Sequence, residues 1–148
     1  MYKIHHKLFP SSRIICLLVL EDVTGDIIAD YMEEMLAWNA DVATWNSVTD
    51  LRLHVGDVSP AAIRRMGAVL GEARRGRAGG RAAVVSHNTG VRFLLNLARL
   101  FIGGHDLRAF ADMSAAYAWA SGMEAGATLA ESGLPAEMAT AGWGCLAA

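Results

Sequence analysis

The spacing of apolar residues changes period several times along the chain. "RIICLLVL" (residues 13–20) is a continuous apolar run of strand length, which suits a strand covered on both faces. It pairs with a strand over residues 2–8 around a turn at Phe9-Pro10-Ser11-Ser12. Next comes helical spacing. Ile27, Ile28, Tyr31, Met32, Met35 and Leu36 recur every three or four residues and form the expected inward stripe of a helix from about Asp26 to Trp38, capped by Thr24. "SVTDLRL" reads as a third strand. Ser59 then starts a second helix running to about Arg75, with Ile63, Met66, Val69, Leu70 and Ala73 inward. The glycines of "RGRAGGR" turn the chain into a fourth strand, "AAVVS". A third helix from about Thr89 to Phe101 buries Val91, Leu94, Leu95, Ala98 and Phe101. A fifth strand, "HDLRAF", leads to a short helix, "MSAAYAWAS", opened by Asp112 or Ser114. The order β-β-α-β-α-β-α-β-α predicts an α/β fold with a mixed five-stranded sheet, an antiparallel hairpin leading into parallel strands.

From Gly122 onward the residues are mostly Ala, Gly, Ser and Thr with scattered acids, and periodicity fades. The expected organisation is one domain over residues 1–121 and a C-terminal tail over 122–148, loose or packed as a helix.

Composition narrows the class. The 148 residues are 53% hydrophobic but only 7% aromatic, so a core of Ala, Val, Ile, Leu and Met is expected. No apolar run approaches the roughly 18 residues that a membrane span requires. Met1-Tyr2-Lys3-Ile4-His5-His6 does not read as a signal peptide. Cys16 and Cys145 have no framework spacing and are expected as thiols, in keeping with a cytoplasmic protein. The net charge is -2, but it is unevenly spread: residues 1–57 carry -5, residues 58–111 carry +7 and residues 112–148 carry -4. The acidic first helix (Asp30, Glu33, Glu34) could thus meet the basic second helix (Arg64, Arg65, Arg74, Arg75) of another copy in a weak homo-oligomer. The basic cluster lacks interleaved aromatics, so no nucleic-acid partner is expected.

Candidate chemistry gathers where strands hand over to helices. Ser59 before Pro60 is the arrangement of a helix start, with the hydroxyl accepting from a backbone N–H and proline at the first helical position. "SHNTG" (Ser86, His87, Asn88, Thr89, Gly90) could cap the third helix or present amides to an anion. Arg52, two residues after Asp50, lies at the strand edge where open α/β sheets bind ligands; it could grip an anion or pair with Asp50. Ser86 and His87 are neighbours on a strand end and point apart, which argues against a nucleophile–base pair. His5, His6, His54, His87 and His105 are scattered, so no metal site or cofactor is expected. Trp38 and Trp119 are expected in the core; the alternative puts Trp38 with Met32 and Met35 along an apolar pocket.

Three phrases, "VTDLRLHVGDVSPAAIRRM", "RAAVVSHNTGVRFLLNLARLF" and "HDLRAFADMSAAYAWAS", are similar to the SpoIIAA-like or STAS-like proteins (the anti-sigma-factor antagonist fold) over about residues 2–121. That family's closing segment is matched by Arg108, Phe110, Asp112, Ala116 and Trp119. The resemblance implies a SpoIIAA/STAS-like sheet and a non-catalytic regulatory or binding module rather than an enzyme. It would dock a protein partner or small anionic ligand at the start of helices two and three, using Arg52, Asp57, Ser59, Ser86, His87, Asn88 and Thr89. In switch-type members a kinase phosphorylates a serine or threonine at this helix start, within an Asp-Ser-Ser-Gly-like motif, which makes Ser59 the candidate phosphosite. Here the chain reads Asp57-Val58-Ser59-Pro60-Ala61, without the second hydroxyl or the glycine. The resemblance also implies an alternative, since some STAS-like proteins share their architecture with SEC14-type lipid-binding domains. On that alternative the chain binds or carries a lipid or small apolar molecule, and an apolar pocket of roughly 300 Å³ or more would favour it.

Overall fold

A computed structural model describes residues 3–122; most of the tail over 122–148, together with Cys145, lies outside the described residues. The elements follow the sequence pattern closely. Strands β1 (Ile4–Phe9) and β2 (Ile14–Val19) form the hairpin. Helix α1 (Gly25–Trp38) leads through a 3₁₀ turn (Ala40–Thr44) into β3 (Asn46–Asp50). Then follow α2 (Pro60–Arg74), β4 (Arg81–Val85), α3 (Thr89–Phe101), β5 (Asp106–Phe110) and α4 (Met113–Ser121).

The sheet order is β1-β2-β3-β4-β5, with β1 antiparallel to β2 and the other pairs parallel. Each crossover from β2 onward steps one strand in the same direction. Right-handed connections of that kind put α1, α2 and α3 on one face of the sheet. Among the described residues, only α4, following the last strand, packs on the other face. The two faces are built differently. Toward α4, Ile14, Cys16, Leu18, Val48, Ala83 and Val85 are sealed against Met113, Ala116, Tyr117 and Ala120. The alanines of α4 let it sit close. Toward α1–α3, Leu17, Ser47, Thr49, Ala82 and Val84 are only partly covered.

Two expected core residues are corrected. Ile27 is half-exposed, and Trp38 is 88% exposed. The buried positions of α1 are Gly25, Ala29 and Leu36. At about 100° per residue, Ile27 lies about 200° round from Gly25, and Trp38 lies as far from Leu36. Once the small residues set the contact, both large ones turn to solvent. Gly25 fixes this approach: a Cβ there would stand 2.7 Å from Cβ of Ala62 on α2. β3 also ends sooner than the apolar pattern suggested. Asp50 Oδ1 accepts the backbone N–H of Arg52 at 3.0 Å, turning the chain out of the sheet.

The charge asymmetry is partly satisfied inside one chain. Arg65 of α2 bonds Asp30 and Glu33 of α1, and Arg77 bonds Asp41. The acid–base complementarity assigned above to two copies is thus in part a contact between neighbouring helices.

Candidate functional site

Two turns define the C-terminal rim of the sheet. In the first, residues 51–58 leave β3 and lie against residues 21–25. Glu21 N–H donates to the Leu53 carbonyl at 3.0 Å, Val55 N–H to Glu21 at 2.8 Å and Gly25 N–H to Asp57 at 2.9 Å. His54 Nε2 sits 2.6 Å from the Val23 carbonyl. Gly56 permits this contact, because a Cβ there would fall 2.1 Å from the Val23 carbonyl oxygen. The second turn, "SHNTG", follows β4. Asp57 of the first and Asn88 and Gly90 of the second line one opening, so the structure brings the two turns together.

The individual residues have different tasks. Ser59 Oγ accepts the Ala62 N–H at 3.1 Å, so it is the helix cap that Pro60 suggested. Asn88 Oδ1 accepts from Gly90 N–H at 2.8 Å, and Ser86 Oγ from Asn88 N–H at 3.1 Å. His87 and Thr89 are exposed beside them. One amide at the start of each helix, Ala62 and Gly90, is therefore taken up by the chain's own cap, as is the Asn88 amide in the turn. Arg52 turns away from this group. Its Nε and Nη2 donate to the Asp50 carboxylate at 3.0 and 2.8 Å. Those bonds, and then the nearby charges of Asp50 and Asp112, hold its guanidinium even more firmly protonated than usual. Asp50 is 1% exposed and shares the α4 face with Val48, so Arg52 neutralises a buried carboxylate there.

Beneath the rim lies a cavity of about 470 Å³ between the sheet and α1–α3. Its floor comes from all five strands, including Ile15, Leu17, Ser47, Thr49 and Val84, and its roof includes Met32, Met35, Met66, Leu70 and Leu94. The periodicity of α1 and α2 placed these methionines inward but could not show that a gap would remain beneath them. Trp38 is not part of the lining.

Three imidazoles are held by structural contacts. His54 bonds the Val23 carbonyl, His6 pairs with the Tyr31 hydroxyl, and His105 Nδ1 lies 2.6 Å from an Arg74 guanidinium nitrogen. Burial, and then the Arg74 charge, push the His105 pKa down. Burial likewise lowers His6, and burial followed by Glu34 raises Tyr31. On the sealed face, burial pushes the Cys16 thiol up to about 12. Among the described residues no three His, Cys, Asp or Glu side chains gather as metal ligands, and no helix is long and apolar enough to cross a membrane.

No family model matches the sequence, and no curated protein matches it. A similar solved structure is that of an uncharacterized protein from the DUF3478 family with a SpoIIAA-like fold, from Shewanella loihica PV-4. It is 17% identical, with a TM-score of 0.55 over 80% of this chain and 94% of that one. Together with the strand order and the placement of the helices, that likeness makes the fold of this chain SpoIIAA-like, of the STAS type.

Proposed function

We propose that this chain is a non-catalytic binding module of the cytoplasm that takes a small apolar ligand between its sheet and α1–α3. The ligand's presence would be read by a protein partner at the rim formed by Asp57, Ser59, His87, Asn88 and Thr89. One observation carries this reading: a largely apolar cavity of about 470 Å³ opening at that rim. Small-molecule sites fall at about 300–1,000 Å³ and are mostly apolar with a few polar groups. The roof suits such a role, because three methionines repack around a guest at little cost. The cavity therefore supports the apolar-ligand alternative over an anion held on helix N-termini, where Ser59 and Asn88 each already accept one amide of the first turn. A regulatory rather than enzymatic role is supported by the engagement of His6, His54 and His105, and by Ser86 accepting within its own turn.

The test is titration of the stripped protein with the uncharged dye N-phenyl-1-naphthylamine. One saturable site per chain is expected, with affinity falling at least tenfold in Ala82→Leu, which fills the floor. Dye binding that is absent, or indifferent to Ala82→Leu, refutes the proposal.

A further inference from the structure

The cavity floor is chemically unlike its walls. β3 is the central strand, and its residues facing the cavity are Ser47 and Thr49. Ser47 lies between Ile15 and Ala82, and Thr49 between Leu17 and Val84. The centre of a parallel sheet covered on both faces ordinarily carries Val, Ile or Leu there. Such residues would fill the space that the small side chains leave open. On the opposite face of the same strand the polar groups are engaged: Asn46 Oδ1 accepts the Arg81 N–H at 2.8 Å, and Asp50 accepts from Arg52. Among the described residues the Ser47 and Thr49 hydroxyls make no side-chain hydrogen bond of this kind. They stand two residues apart on one face, about 6.7 Å along the strand, and open into the cavity.

The rest of the lining limits the charge of a guest. It includes no Lys or Arg. Its polar side chains have other commitments: His54 to Val23, His105 to Arg74 and Tyr31 to His6, while Asp57 is exposed at the rim. A carboxylate or phosphate placed inside would lose its hydration with no cation to replace it.

We infer that the ligand is an uncharged, mainly hydrocarbon molecule carrying a hydroxyl or carbonyl oxygen that seats on Ser47 and Thr49. This rests on the apolar-ligand reading and adds its chemical class. A hydroxyl donates to or accepts from either side chain, and a carbonyl accepts from either. The hydrocarbon lies under the methionine roof.

The experiment displaces N-phenyl-1-naphthylamine from the wild type and from Thr49→Val and Ser47→Ala/Thr49→Val, using 1-octanol, 1-chlorooctane and octanoate. Valine keeps the shape of threonine and replaces its hydroxyl with a methyl group. Octanol affinity is expected to fall about fivefold in the double variant, the worth of one net hydrogen bond, while chlorooctane affinity holds or rises. Octanoate is expected to bind most weakly to the wild type. Equal responses of octanol and chlorooctane, or octanoate as the tightest ligand, overturn this inference and leave the apolar site standing. If none of the three displaces the dye, both readings fall.

Discussion

Ala82 and Ala83 are neighbours on β4 that face opposite sides of the sheet, and enlarging them has opposite consequences. Ala83 is 0% exposed and packed in the cluster that α4 seals. A leucine there has no space and must displace Val48, Met113 or their neighbours, at a cost of about 1–3 kcal/mol. Ala82 projects into the 470 Å³ cavity. Burying a whole leucine side chain is worth about 1.5–3 kcal/mol, and part of that is already supplied by the alanine methyl. Ala82→Leu should therefore gain about 1–2 kcal/mol, and Ala83→Leu should lose at least as much. Both substitutions change strand propensity equally, so the difference between them isolates packing. Urea unfolding of ligand-free protein reads each value, with an unchanged m confirming that stability alone has moved. In thermal melts Ala82→Leu should rise by roughly 4 °C. If both leucines destabilise to a similar degree, the helices rest on the sheet without a gap, and no ligand fits beneath them.

Three further outcomes are expected. Asp50→Ala strips the half-buried Arg52 guanidinium of its partner and should cost about 3–5 kcal/mol. Asp50→Leu with Arg52→Leu should recover most of it in the same urea assay, and full stability of the single variant would mean that the ion pair is not buried in solution. Ser59→Ala removes the bond to the Ala62 amide and should cost about 1 kcal/mol while leaving dye affinity unchanged; a loss of dye binding would make Ser59 more than a cap. Because burial and Arg74 lower the folded-state pKa of His105, its contribution is present above the unfolded value of 6.5 and lost as pH falls through the folded value. Stability measured from pH 7.5 down to 4.5 should thus decline less steeply in His105→Gln than in the wild type, and parallel profiles would exclude His105 as the cause.

Local physics alone determined much of this molecule. Thr24, Ser59 and Asn88 mark helix starts because an N-terminal amide needs an acceptor within a few residues. An antiparallel hairpin leading into parallel strands follows from strands alternating with helices, while the order β1-β2-β3-β4-β5 itself came only from the structure. Pairing with Asp50 was one of the two roles that the sequence left open for Arg52, two residues away, and the structure shows that pairing. Periodicity says which face of a helix turns inward, not how far that face stands from what it covers. That separation depends on side-chain volumes contributed by segments far apart in sequence. Only the assembled structure therefore decided that Gly25 and Ala62 set the α1–α2 contact and turned Trp38 outward, and that Arg65 reaches the acids of α1. The same holds for the cavity. Ser47, Thr49 and Ala82 are unremarkable strand residues until three methionines from two helices are placed above them at a distance that their own side chains cannot close.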